Sequence, residues 1–331
     1  MRTQIMTLAA AALAAAPALA QDVYINEIRI SEPGADDNEF FELTGAPGTS
    51  LDGLSYVVLQ DDGRLDGVID LTGKSIPSDG FFLCAELTLT AATADLTASL
   101  PFENNENTNH LVVSGITASQ GDDLDVDDDG VLDSTPWTAI VDSIAVVADL
   151  ASVTDPIYVT PLTGPDGSFF PGAVFREDDA TTGLTNWAIA DFGIAGDTPG
   201  AANATAGRLP ADFGGGAGFG LNLGSAFAGE VYIVVYGFGG SAPGTPLGGG
   251  LTLPVNLDAL ATLSIQLANT GPFSNTLGTL DSDGKGNGQL ILPSGITPSL
   301  AGSQIDFAAL TVNPFTAGVT SVTNNGTILL N

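Results

Sequence analysis

Seven apolar runs of four to eight residues, each bounded by turn signals, limit what the first half of this chain can fold into. They are 23–30 (VYINEIRI), 39–43 (EFFEL), 54–60 (LSYVVLQ), 67–71 (GVIDL), 80–85 (GFFLCA), 110–113 (HLVV) and 140–147 (IVDSIAVV). Between them lie EPGADD, APGTSLDG, DDGRLDG and PSDG, with Pro, Gly and Asp where turns need them. Short runs at this spacing predict an all-β, immunoglobulin-like sandwich. Only 91–100 reads as a short helix.

The second half predicts a further β-sandwich from 230–236, 261–267, 289–292, 304–312 and 327–330. In 261–267, Ala261, Leu263, Ile265 and Leu267 alternate with Thr262, Ser264 and Gln266, the period of a half-buried strand. The stretch TPGAANATAGRLPADFGGGAGFG between the halves is dense in Gly, Ala and Pro and reads as a linker. Its glycines 214–220 do not form a phosphate loop on this reading, because no strand precedes them and no helix follows. The expected organisation is a signal peptide at 1–20, a first sandwich at 21–205, a Gly/Ala-rich linker at 206–219 and a second sandwich at 220–331.

The signal peptide is read from Arg2, the apolar stretch 6–16 and the small-x-small site Ala18-Leu19-Ala20, with cleavage expected near Ala20–Gln21. No later run approaches the roughly 20 apolar residues of a spanning helix, so no membrane insertion is expected and the protein is read as secreted or cell-surface. Cys84, the one cysteine, can form no intrachain disulfide and reads as a small buried hydrophobe. The net charge is -32 and uneven: residues 21–210 hold 33 acids against 5 bases. That charge excludes non-specific binding to nucleic acid or anionic lipid, which needs basic patches.

The charge is densest in GDDLDVDDDGVLD, where seven aspartates fall within twelve positions. Asp125-x-Asp127-x-Asp129-Gly130 has the spacing with which a calcium loop begins, and Asp133 falls at its ninth position. Position twelve is Pro136, so the closing Glu is missing and another acid, Asp142 or Asp123, would have to serve. Hard oxygen ligands in this number suit Ca2+ better than zinc. Asp123, Asp125, Asp127, Asp129 and Asp133 are therefore the candidate metal ligands, with a Kd of roughly 10⁻⁴–10⁻³ M. The alternatives are a solvated acidic turn and a metal-dependent hydrolase of phosphoesters using Asp123, Asp125, Asp127 and Asp129. One histidine, His110, and two lysines, Lys74 and Lys285, leave such an enzyme poorly supplied with bases. The stretch 281–288 (DSDGKGNG) reads as a hairpin turn.

Glu27 and Glu42 interrupt apolar strands, which is costly unless they are solvated, bind a cation, or tie the strands together through Asn26 and backbone amides. Ile25-Asn26-Glu27-Ile28, Asn38-Glu39-Phe40-Phe41-Glu42-Leu43 and Gly53-Leu54-Ser55 resemble the opening of lamin-tail domains. Asn186-Trp187 and Asp197-Thr198-Pro199-Gly200-Ala201-Ala202-Asn203 are similar to the close of bacterial versions. The acidic loop with Trp137 and Ile140-Val141-Asp142-Ser143 resembles an insertion in such copies, and 220–331 resembles a C-terminal β domain of exported bacterial surface proteins. The resemblance implies an immunoglobulin-like sandwich in a secreted binding or tethering protein, with no catalytic residues to carry over. A structural adhesion role toward cell-envelope polysaccharide or surface proteins is expected, with a purely structural envelope component as the alternative.

Overall fold

The computed structural model describes residues 23–35, 37–149, 151–167, 169–177, 183–190, 197–203, 207–209, 215–293, 295 and 299–330. The expected signal peptide lies outside them. The first half supplies β1 (Val23–Arg29), β2 (Phe40–Gly45), β3 (Leu54–Gln60), β4 (Leu65–Asp70), β5 (Phe81–Ala85), β6 (Leu96–Thr97), β7 (Thr108–Ser114), β8 (Ala139–Val146), β9 (Leu162–Thr163), β10 (Ala173–Arg176) and β11 (Gly183–Ala190). Next come β12 (Gly207–Leu209), β13 (Gly215–Asn222), β14 (Val231–Gly237), β15 (Thr245–Gly248), β16 (Leu251–Leu253) and the helix α1 (Ala259–Gln266). The chain closes with β17 (Phe273–Ser274), β18 (Leu277–Thr279), β19 (Lys285–Leu292), β20 (Gln304–Val312), β21 (Val319–Val322) and β22 (Gly326–Leu330).

The protein is all-β in sandwich layers. One nine-stranded sheet, β17-β19-β13-β11-β10-β1-β2-β5-β6, faces two others. Its first part packs on the five-stranded sheet β4-β3-β7-β8-β9, where Phe41 stacks on Tyr56 with ring centroids 3.7 Å apart. Its second part packs on the β12-β22-β20-β14-β18 sheet through Phe219 against Phe307 and Phe273 against Tyr236. Buried side chains from Val23 to Leu330 form one contiguous core across both parts.

The sheet therefore runs through the expected linker. β12 pairs in parallel with β22, and β13 pairs with β11 on one side and β19 on the other. In β13, Ala217, Phe219 and Leu221 enter the core, while Gly216, Gly218 and Gly220 face residues 161–164. A Cβ on Gly218 would stand 1.6 Å from the Leu162 carbonyl oxygen. These glycines admit a close backbone approach; they do not loosen a tether.

Three further expectations are corrected. Residues 261–267 lie in α1 and its C-cap: the Asp258 side chain accepts from Ala261 N at 2.8 Å as N-cap, and Ala261 and Ser264 form the buried face. The helix covers the edge of β14, where Tyr236 N donates to Ser264 Oγ and Phe238 N to Asp258 Oδ2. Residues 91–100 hold no helix; β6 runs parallel to β5, and Asp95 fixes it by accepting from Leu83 N at 2.9 Å. The 281–288 turn is closed by Asp281, but it is no hairpin, since β18 pairs with β14 and β19 with β13 and β17.

Candidate metal site in the acidic loop

The loop is anchored before it is charged. Leu124, 3% exposed, packs into a small core with Val57, Leu111 and Val113, and Leu132 and Trp137 lie against it. Leu124 N donates to Gly63 O at 2.9 Å and Leu65 N to Asp122 O at 2.9 Å, so residues 122–124 run beside the 61–65 turn. Gly63 has φ +78°, and a Cβ there would meet Asp125 Cβ at 2.4 Å, which leaves the turn no room for a side chain.

Asp125 is fully buried under this turn. Its carboxylate accepts from Asp129 N at 3.2 Å, Gly130 N at 2.9 Å and the Tyr158 hydroxyl at 2.7 Å. Desolvation, and after it the neighbouring Asp125 carboxylate, pushes the Tyr158 hydroxyl well above its ordinary range. Asp128 at φ +54° and Gly130 at φ +82° bend the chain back, and Asp133 Oδ2 then accepts from Val126 N at 2.9 Å.

One carboxylate oxygen each from Asp125, Asp127 and Asp133 comes within 4.8 Å of the others. Two oxygens at about 2.4 Å from one Ca2+ cannot be further apart than about 4.8 Å, so this triad meets the distance that sharing one ion requires. The like charges of Asp129 and Asp133 push the exposed Asp127 carboxyl above its ordinary value, with smaller contributions from desolvation and Asp125. A cation would reverse that repulsion.

The structure brings together three of the five expected ligands. Asp129 Oδ1 instead accepts from Val131 N at 2.9 Å, and Asp123 pairs with Arg64 at 3.2 Å and accepts from Asp125 N. Asp142, expected as a closing ligand, is engaged elsewhere: it accepts from Arg176 Nη2 at 2.6 Å and Ile25 N at 2.7 Å, tying the two sheets of the first sandwich. Sequence spacing could not reveal Tyr158, 33 residues beyond Asp125, or the Gly63 turn that seats it.

His110, Cys84, Glu27 and Glu42 are all buried. His110 is fully buried between Tyr56 and Thr108, with contacts of 2.9 and 3.1 Å, and burial lowers its pKa to about 3. Cys84 is buried and its thiol is pushed up to about 12 by desolvation. Glu27 and Glu42 lie directly opposite one another on β1 and β2, both buried. They do not face solvent; they hold the 197–203 segment onto the sheet. Glu27 accepts from Thr198 N and Oγ1 (3.1 and 2.9 Å), and Glu42 accepts from Asn26 Nδ2 at 2.6 Å and from Gly200 N. Asn203 Nδ2 reaches Asn26 O and Arg176 O, and Arg29 pairs with Asp197.

No family model and no curated protein matches this chain. Among solved structures it is similar to one described as a Ca2+-stabilized adhesin that helps an Antarctic bacterium reach out and bind ice. That likeness has 10% identity and a TM-score of 0.18, and it covers 93% of this chain and 48% of the other. So low a score carries no argument about fold or function. Among the described residues, no helix is long and apolar enough to cross a membrane.

Proposed function

We propose that this is an exported, non-enzymatic adhesion or tethering protein whose 121–133 loop is ordered by Ca2+. The observation that carries the reading is the Asp125, Asp127 and Asp133 triad, built on a buried carboxylate that the fold already orients. Asp125 has three donors of its own, so Asp127 and Asp133 would supply most of the charge. Carbonyls and water would complete the six to eight ligands calcium takes. The ion's part is structural: it neutralises repulsion and fixes a loop docked on the first sandwich.

The same reading takes the first sandwich as a lamin-tail-like module. Residues that carried the resemblance, Asn26, Glu27, Glu42, Thr198, Gly200 and Asn203, share one hydrogen-bond network, which gives the motif a structural reason. Its partners would be cell-envelope polysaccharide or surface proteins.

Thermal melts in EDTA, 10 mM Ca2+ and 10 mM Mg2+ test the metal. With a Kd of roughly 10⁻⁴–10⁻³ M, 10 mM Ca2+ stabilises the fold by about 1.4–2.7 kcal/mol. The expected result is a Ca2+-specific rise in Tm of a few degrees, lost in Asp127→Asn/Asp133→Asn. Equal melts in all three buffers would make the loop a solvated turn.

A further inference from the structure

We propose that the cleft between the two sandwiches binds a neutral oligosaccharide, an inference that rests on the adhesion reading and gives it a site. The cleft holds about 700 Å³, inside the roughly 300–1,000 Å³ range of small-ligand sites. One wall is the start of β8 with residues 158–161; the other is the end of β13, Tyr232 and the 281–287 turn.

Its walls are set before any ligand arrives. Arg176, 8% exposed, is held by Asp142 and by the Ile25 carbonyl at 3.0 Å, with its guanidinium 5.7 Å from the Tyr24 ring centre. The Tyr232 hydroxyl donates toward the carbonyls of Asn275 and Asn287 at 3.1 and 2.9 Å. Ser143 Oγ donates to Thr160 O at 2.9 Å. Gly286 lies so close to Tyr232 that a Cβ would stand 2.8 Å from the ring. A cleft held this way loses little ordering entropy on binding.

Its chemistry is that of a sugar site. Half-buried Tyr24 and Tyr158 lie among exposed Thr160 and Thr279 and half-buried Asn287. Aromatic surface suits the C–H face of a pyranose, and mixed donors and acceptors suit its hydroxyl rim. Charge selects the neutral class. The cleft's two bases, Arg176 and Lys285, stand with three acids, Asp142, Asp281 and Asp283, on a chain of net charge -32. A polyanion would be repelled, and Arg176 already has its carboxylate.

The test titrates the purified protein with neutral di- to tetrasaccharides of the glucan, mannan, galactan and N-acetylglucosamine series, beside polygalacturonate and dextran sulfate fragments, read by calorimetry. Ala139→Trp and Thr279→Trp add bulk at exposed cleft positions, and thermal melts verify that each variant folds. At least one neutral series should bind, at least tenfold more weakly to a folded variant. The proposal is overturned if no neutral sugar binds, if both variants bind as the parent does, or if the anionic fragments bind best. Retention on insoluble envelope polysaccharide separates the two ideas. Parent and variants retained alike would remove the cleft and keep adhesion; a parent that is not retained would remove adhesion, while the titration still reads the cleft.

Discussion

Raising the pH from 5 to 8.5 should destabilise this protein through Glu42, and Glu42→Gln should remove that dependence. Desolvation, opposed by the Asn26 and Gly200 hydrogen bonds, lifts the Glu42 pKa from 4.5 to about 8. Between those values the folded state holds a proton that the unfolded chain releases, so each step up in pH favours unfolding. The full 3.5-unit shift corresponds to about 5 kcal/mol. Glu27, lifted to about 7 by burial and by Asp197, acts in the same direction with about 3 kcal/mol. The two are cross-strand neighbours and titrate as a pair, so the sum is an upper bound. His110 opposes them at lower pH: its depressed pKa makes stability rise from pH 3 to 6.5.

Glu42→Gln removes the Glu42 titration together with its coupling to Glu27, and the remaining groups are shared with the parent. Asn26 Nδ2 and Gly200 N both donate to Glu42, and an amide offers only one oxygen, so one donor is left facing an NH2 group. That costs about 1–3 kcal/mol at every pH. The variant should be less stable than the parent by that amount at pH 5 and at least as stable at pH 8.5. Urea unfolding followed by fluorescence of buried Trp187, in EDTA, measures both midpoints across the range. Parent and variant midpoints that stay parallel from pH 5 to 8.5 would refute a raised Glu42 pKa.

Two further substitutions probe how the sheets are joined. Gly218→Ala drives a Cβ into the Leu162 carbonyl and should lower Tm far more than Gly220→Ala, whose Cβ would meet only Pro161 Cγ at 3.4 Å; equal melts would contradict the close approach of β13 to residues 161–164. Asp142→Asn leaves the Arg176 guanidinium buried without its carboxylate and should cost about 3 kcal/mol in urea unfolding, with Arg176→Met/Asp142→Leu recovering part of that loss.

Strands were legible wherever one face is buried and turn residues close the run: 23–30, 54–60 and 304–312 coincide with β1, β3 and β20 to within a residue. What failed was the reading of glycine. GGAGFGLN alternates as strictly as any strand, with Ala217, Phe219 and Leu221 inward, yet composition made it look like a tether. A period-2 test that counts glycine as a face in its own right would have found β13. The 261–267 error is the reverse. Apolar alternation was present, but Asp258 three residues ahead was an N-cap signal, and Leu263, Ile265 and Leu267 end up exposed.

The acids divide by what the backbone offers them, and sequence shows only half of that. Buried Glu27 and Glu42 and half-buried Asp142 take amide, hydroxyl or guanidinium donors from distant segments, at separations of 34 to 171 residues for Asp142–Arg176, Glu42–Gly200 and Glu27–Thr198. Protein donors already neutralise or solvate these groups, so a cation has little to add. The 122–133 aspartates draw their donors mainly from their own loop, chiefly backbone N–H groups two to seven residues away. Local amides orient a carboxylate but carry no full charge to balance it. Among the described residues, Asp123 is the one of the loop's seven aspartates that forms an ion pair, to Arg64. The charge on Asp127 and Asp133 is therefore met by no basic side chain among the described residues, and it lies within 4.8 Å of Asp125. Divalent cations should act there, and the buried carboxylates under residues 197–203 should respond to protons instead.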